Sequence, residues 1–240
     1  MKLIKASYKI ITPINGEEIL KNIELAARDC YQSDGKIETG IISSTNEFGQ
    51  EIDTIFATSA RVLIPKLMNA KPTPHEAMLE FGGMIHVRFI VDRGVSHELV
   101  RHRMASFAQE STRYCNYGKD EHIQFIIPNW LTIHENTYSR NHSDFLGMTD
   151  DANDWCKTML NLEYIYNTLI NSKWTPQQAR SVLPNSLKTT INISCNIREW
   201  RHIFKLRTAK AAHPQMREVM CPLLDEFKRL IPILFDDINY

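Results

Sequence analysis

Residues 84–92 (MIHVRFIVD) constrain this chain more than any other stretch. Ile85, Val87, Phe89 and Val91 alternate with their neighbours, so they share one face of an extended strand. Gly94 breaks that strand. Ser96 then has the character of an N-cap for a helix running into RHRMASF (101–107). Looser alternation at 3–11 and the run 122–127, stopped by Pro128, read as further strands. Ile19, Leu20, Ile23 and Ala27 fall at helical spacing within 17–31. A second helical stretch covers about 55–69, where Pro65 is expected to kink or split it. Residues 33–52 read as polar and turn-rich around Gly35, Gly40 and Gly49, and Lys71-Pro72-Thr73-Pro74 is a breaker.

The second half reads as helical after a polar loop at 131–150. A helix is expected over 151–172. A short one opens with Thr175-Pro176-Gln177-Gln178, where a Thr cap, a first-turn Pro and a Gln three residues on form an N-terminal signature. Asn196 with Glu199 predicts the start of a third, running to Leu206 or Arg207, and Pro214 starts a fourth, reaching about Leu230. No repeat, linker or low-complexity tract appears. The expectation is one α+β domain over residues 1–240, with helices dominating the second half.

Several classes fall away. Lys+Arg and Asp+Glu number 28 each, so the chain carries no basic excess with which to coat nucleic acid. No apolar run approaches a membrane span, and residues 1–16 lack a signal peptide's apolar region. The five cysteines (Cys30, Cys115, Cys156, Cys195, Cys221) are scattered, with no CxxC pair, which favours reduced thiols and a cytoplasmic location. GxGxxG, GxxxxGK[ST], GxSxG and HExxH are all absent.

Chemistry concentrates in two segments. In residues 97–114, Arg101 and Arg103 would lie about 200° apart on a helix and face different groups. His97 shares a helix face with Arg101, and Glu98 with His102. Ser111 and Arg113, two apart in extended chain, would point the same way and suit a phosphate. In residues 196–218, Ile197, Trp200, Ile203, Phe204 and Leu206 supply a buried face, with Arg198, Arg201, His202 and Lys205 on the rest. Taken singly, the Arg101–Arg103 triplet also reads as a solvated basic face and Ser111/Arg113 as a surface pair. Arg180 likewise reads as half of a surface ion pair, and Arg207 as a cation complementing a helix C-terminus.

Together these motifs are specific. Arg101-His102-Arg103, seven residues, then Ser111 resembles the RHR-x7-S signature of flavin-dependent thymidylate synthases. The chain is similar to that family also in AARDCY (26–31), HEAMLE (75–80), ARSVLP (179–184), NIREWRHIFKLR (196–207) and AHPQMRE (212–218), in the same order.

The resemblance implies a homotetramer with a non-Rossmann α+β fold, a mixed or antiparallel sheet flanked by helices. It implies methylation of dUMP to dTMP with 5,10-methylenetetrahydrofolate as carbon donor, tetrahydrofolate as product and FAD, reduced by NADPH, as hydride source. The flavin would sit where subunits meet. By matched position, FAD would be contacted by His75, Ala77, Arg101, His102, Arg103, Gln109, Asn196, Ile197, Arg198 and His202, with His213 nearby. The dUMP site would draw on Glu98, Leu99, Val100, Arg101, Gln109, Glu110, Ser111, Thr112, Arg113, Arg180 and Arg207. Arg207 would be the catalytic group, favouring ionisation of the uracil N3 by its fixed charge. Ser111 would position the nucleotide and not attack it, since no activating base is legible.

The chain departs from the family pattern at Phe81, Glu98, Ala108, Gln109 and His202. Two other readings share the same grips: a same-fold flavin enzyme alkylating another pyrimidine nucleotide, and a non-catalytic nucleotide- or RNA-binding module. No metal, membrane or nucleic-acid partner is expected, and His86, His122, His134 and His142 receive no role.

Overall fold

The computed structural model describes residues 1–45, 50–119 and 122–240. In chain order the elements are β1 (Lys2–Ile4), β2 (Ser7–Ile10), α1 (Gly16–Asp29), β3 (Gly40–Thr45), β4 (Glu51–Phe56), α2 (Thr58–Met68), β5 (Met84–Asp92), α3 (Arg93–Leu99) and β6 (Ser106–Gln109). There follow β7 (Gln124–Ile126), β8 (Asn136–Thr137), α4 (Asp150–Asn171), α5 (Pro176–Ala179), β9 (Lys188–Asn196), α6 (Ile197–Arg207), α7 (Pro214–Leu230) and α8 (Pro232–Phe235). Three-residue or longer 3₁₀ turns cover Asp34–Lys36, Glu76–Gly82, His142–Phe145 and Arg180–Val182. This is an α+β architecture. Its strands order as β7-β1-β8, β2-β5-β9-β6 and β3-β4.

The chain clusters into two compact units, each assembled from three separated stretches. The first holds Met1–Lys9, Val87–Ile193 and Ala212–Val219. Within it β1 pairs parallel with β7 (Leu3 opposite Phe125) and antiparallel with β8 (Leu3 opposite Asn136), a mixed sheet. The amphipathic α4 contributes Cys156, Met159, Leu160 and Tyr166 to a buried cluster with Met1, Leu3, Phe125 and Leu187. The burial of β5 alternates along the strand, with Val87, Phe89 and Val91 inside, which is the predicted face. Thr189, Ile191 and Ile193 of β9 alternate in the same way.

The second unit holds Ile10–His86, Ser194–Ala211 and Met220–Tyr240. Asn15 caps α1 by accepting from the Glu18 amide. Trp200 and Phe204 of α6 pack with Phe227 and Phe235, ring centroids 5.1–5.8 Å apart. The Trp200 Nε1–H donates to the Ile85 carbonyl at 3.0 Å, so the indole's polar edge is satisfied inside the core. Gly82 allows the 3₁₀ turn to touch α6: a Cβ there would lie 2.7 Å from Cγ1 of Ile197.

Several expectations need correction. The 3–11 alternation is two strands, β1 and β2, in different sheets. The stretch 33–52 contains β3 and the start of β4, an antiparallel hairpin. Exposed Ile41 and Ile55 gave it no one-sided apolar pattern, and Gly49 lies outside the described residues. Pro65 sits within α2 without splitting it. The strand β9 and the short α8 had no counterpart in the sequence reading. On α6, Leu206 is exposed while Glu199 and Arg201 are buried. Arg201 is affordable there because its Nη1 and Nη2 donate to the two carboxylate oxygens of Asp237, each at 2.7 Å. That guanidinium holds the Asp237 carboxyl below its usual range against the opposing effect of burial.

Phe204 is fully buried at the centre of the aromatic group. Phe204→Ala should cost about 3–5 kcal/mol through lost contacts and a residual cavity. Chemical denaturation read by circular dichroism would check this.

Candidate active site

The candidate residues of the first unit hang on a strand-to-helix hand-over. Asp92 ends β5, and its Oδ1 accepts from the Val95 amide at 2.7 Å, so Asp92 is the cap and not Ser96. Gly94 leaves room for this: a Cβ there would meet Asp92 Oδ1 at 2.9 Å. Ser96 lies inside α3, where its hydroxyl donates to the Arg93 carbonyl at 3.0 Å.

The helix stops at Leu99. The amides of Arg101 and His102 bond the carbonyls of Glu98 and Leu99 at 3.3 and 3.1 Å, a pair of tight turns. The helical separation of Arg101 and Arg103 therefore does not apply. Both remain exposed because the turn buries His102 between them. Neither has an ion pair among the described residues.

Gln109 ends β6 and faces inward. Its Nε2 donates to Ser96 Oγ at 2.8 Å and Thr189 Oγ1 at 3.2 Å, tying α3 to β9. Glu110 accepts from the Tyr117 hydroxyl at 2.8 Å and from Lys188 Nζ at 2.7 Å. Burial opposes the Glu110 charge, but the Lys188 and Tyr117 hydrogen bonds and the Lys188 charge outweigh it. The carboxyl is held below the usual glutamate range. Burial and the Glu110 charge push the Tyr117 phenol up.

Ser111 and Arg113 are not in extended chain. A turn follows Ser111, whose Oγ accepts from the Arg113 amide at 3.3 Å. That turn is clasped by the segment around α5. Arg113 Nε donates to Gln177 Oε1 at 3.1 Å, and Arg180 Nη1 donates to Thr112 Oγ1 at 3.1 Å. The predicted cap of α5 is present, with Gln178 Oε1 accepting from the Thr175 amide at 2.9 Å. Ser111, Arg113 and Arg180, separated by up to 69 positions in sequence, thus converge, and both guanidiniums keep further donors. Gln177 and Thr112 hold the two guanidiniums, while Thr189 holds Gln109 and Lys188 and Tyr117 hold Glu110; no local sequence pattern marks Thr189, Lys188 or Tyr117 for these roles.

In the second unit the 3₁₀ turn Glu76–Gly82 packs on α6. Arg198 Nη1 meets Glu80 Oε1 at 2.7 Å and Lys205 Nζ lies 3.8 Å from Glu76 Oε1. His75 and Ala77 are exposed on the turn, and Asn196, Ile197, Arg198 and His202 belong to the start and first turns of α6. Two segments about 120 residues apart in sequence are thereby joined. Asn196 Oδ1 accepts from the Glu199 amide at 2.9 Å, which commits its oxygen to the cap and leaves its amide N–H groups as donors. Arg207 ends α6, where its charge complements the helix C-terminus.

All five cysteines are free. Burial pushes the Cys156 thiol up to about 11 and the Cys195 thiol higher still, the reverse of an activated thiolate.

Known proteins resemble this chain along its length. The profile of the family described as thymidylate synthase complementing protein matches residues 14–233. A flavin-dependent thymidylate synthase of Corynebacterium efficiens is 32% identical over 239 residues, 98% of this chain and 84% of that protein. One from Geobacter sulfurreducens is 27% identical over 215 residues, covering 90% and 80%. Among solved structures, thymidylate synthase X of Helicobacter pylori with FAD and dUMP superposes with TM-score 0.64 at 22% identity, covering 98% of both chains. The UMP/dUMP methylase PolB of Streptomyces cacaoi, bound with 5-Br dUMP, gives TM-score 0.70 at 20% identity over 98% of this chain and 96% of that one. At these identities the structures establish a shared fold.

Replacing Lys188 by Met should leave Glu110 buried with its main counter-charge gone. A carboxyl whose folded pKa is depressed contributes stability above its unfolded pKa, and that contribution is lost as pH falls through the folded value. In Lys188→Met the Glu110 pKa should rise, and stability near neutral pH should fall by about 1–3 kcal/mol. Thermal melting between about pH 3 and 7 should show the acid-side loss displaced to higher pH.

Proposed function

The chain belongs to the thymidylate synthase complementing protein family, the flavin-dependent thymidylate synthases, and on that premise we propose that it methylates dUMP to dTMP. The carbon donor is 5,10-methylenetetrahydrofolate. FAD, reduced by NADPH, supplies the hydride, and the working enzyme is a homotetramer in the cytoplasm with flavin at subunit interfaces.

The observation that carries this reading is the clasped anion grip. Gln177 and Thr112 orient the guanidiniums of Arg113 and Arg180, and Ser111 sits in the same turn. A phosphomonoester dianion needs this set of preorganised donors, because a planar guanidinium can bind two phosphate oxygens at once. Glu110 is occupied by Lys188 and Tyr117, so it does not oppose the anion at short range. Glu98, Leu99, Val100 and Arg101 enter the same nucleotide site from the end of α3.

For FAD, the donor chemistry fits. The exposed guanidiniums of Arg101 and Arg103 suit a pyrophosphate; within the second unit the Arg198–Glu80 ion pair joins the turn that carries exposed His75 and Ala77 to the start of α6, which holds Asn196, Arg198 and His202, while Ile197 is buried beneath that turn. His102, Gln109 and His213 complete the flavin-contacting set. When bound, the flavin supplies two-electron hydride chemistry. Arg207 stabilises the N3-deprotonated uracil by its charge, which makes the ring a better nucleophile towards the methylene carbon. It remains a cation throughout, because guanidinium does not release its proton at working pH.

Ser111 orients the nucleotide. Among the described residues no His, Asp or Glu side chain hydrogen-bonds its Oγ, so it lacks the base a nucleophilic serine needs.

Purified protein should show a flavin spectrum, and NADPH oxidation should accelerate on adding dUMP. dTMP should form once methylenetetrahydrofolate is present, with UMP run beside dUMP to fix the sugar specificity. Colourless protein whose nucleic-acid affinity falls steeply with salt would overturn the reading in favour of a binding module. Arg180→Lys should weaken dUMP binding on the order of 10–100-fold with flavin content unchanged, because the planar fork is lost. Ser111→Ala should retain measurable turnover; complete loss with normal dUMP and FAD binding would restore a nucleophilic role.

A further inference from the structure

The Asp92 carboxylate does more than cap α3. It is 4% exposed, and while Oδ1 accepts from Val95, Oδ2 is buried with no hydrogen-bond partner among the described residues. An ionised oxygen left in that condition costs several kcal/mol unless something meets it. The residue lines a cleft of about 170 Å³ within the first unit, together with Glu98, Asn185, Ser186, His213 and Gln215. A second carboxylate, Glu218 on α7, also has a buried oxygen, Oε2, without a partner. The Asp92 charge raises the Glu218 carboxyl and Lys5 lowers it, while Glu98 raises the Asp92 carboxyl and His213 lowers it. His213 is the sole potential cation in the cleft wall, and it is turned edge-on to Trp130 with centroids 5.8 Å apart. Burial, the largest influence, raises both the Asp92 and the Glu218 carboxyls above their usual range. A positive charge in the cleft would reverse that.

The wall offers five oxygen-bearing side chains: two carboxylates, two amides and a hydroxyl. These are hard donors of the kind that select Mg²⁺ or Ca²⁺ over softer metals. No three carboxylate or imidazole ligand atoms of the cleft come within 4.8 Å of one another, so an ion stripped of its water is not caged. The volume decides what fits. At about 30 Å³ per water, the cleft takes roughly five or six waters. Mg²⁺ keeps several of its waters and binds through one or two carboxylates. We propose that this cleft binds a hydrated divalent cation of the Mg²⁺ class, held by Asp92, with Asn185, Ser186 and Gln215 accepting hydrogen bonds from its waters.

The test is calorimetry on flavin-loaded, chelator-treated enzyme titrated with MgCl₂, with and without saturating dUMP. Saturable one-to-one binding is expected in both conditions. Asp92→Asn keeps a cap of equal quality but removes the charge, and should weaken binding tenfold or more. Asn185→Asp, at the exposed rim, should tighten it several-fold, and this arm stands if Asp92→Asn folds poorly. Mn²⁺ should broaden the His213 ring resonances first. The proposal is overturned by absence of saturable heat at millimolar Mg²⁺, by equal affinity in wild type and both variants, or by K⁺ competing as well as Mg²⁺. It is equally overturned if dUMP abolishes Mg²⁺ binding, since the nucleotide would then be the partner of Asp92.

Discussion

One hydrogen bond, made twice, positions both candidate segments. In each case a residue that ends a strand also starts a helix, and its side-chain oxygen accepts from the amide three residues on. Asp92 does this for Val95 at 2.7 Å, and Asn196 for Glu199 at 2.9 Å. Each cap is worth only about 1 kcal/mol. Its larger effect is geometric, because strand and helix join with no loop to absorb error. The end of α3 presents Arg101 to Arg103 from a fixed strand, and the first turns of α6 present Arg198 and His202 in the same manner.

Electroneutrality hides an uneven distribution. Residues 88–113 hold five Arg against three acids, and residues 196–218 hold six Lys and Arg against two Glu. Folding then consumes part of that surplus internally. Arg201 is bound to Asp237, Arg198 to Glu80 and Lys205 to Glu76, while Lys188, outside both segments, neutralises Glu110. Arg101, Arg103, Arg113 and Arg180 are left exposed, and the last two are aimed by neutral partners. A guanidinium held by Gln177 or Thr112 keeps its full charge for a ligand, whereas one held by a carboxylate does not.

Legibility followed the strength of local signals. The helix α1 and the strand β5 could be read from a periodic apolar face, α6 from such a face with a cap, and α7 from its opening Pro. The hairpin of β3 and β4 could not, since Ile41 and Ile55 face solvent. The strand β9 alternates too, but its inward residues include Thr189 and Cys195, which weakens the apolar signal. The pattern around Arg101 misled differently. Helical spacing continues past Leu99 in the sequence, yet the chain turns there to bury His102, a tertiary gain that local propensity does not register.

The sequence by itself determined the α+β class, the types of residue available for phosphate and flavin, and the ordered motifs that place the chain in its family. Those properties are carried by composition and spacing along the chain, and the second half's caps declare themselves within four residues. Only the tertiary structure decided which charges are spent and which are free. The partners that settle it, Arg180 with Thr112, Arg113 with Gln177, Lys188 with Glu110 and Gln109 with Thr189, lie 64 to 80 positions apart. Hydrogen bonds of that range depend on strand order and burial, and no local periodicity encodes them. The lone oxygen of Asp92 belongs to the same class, because its isolation is a fact about the cleft around it.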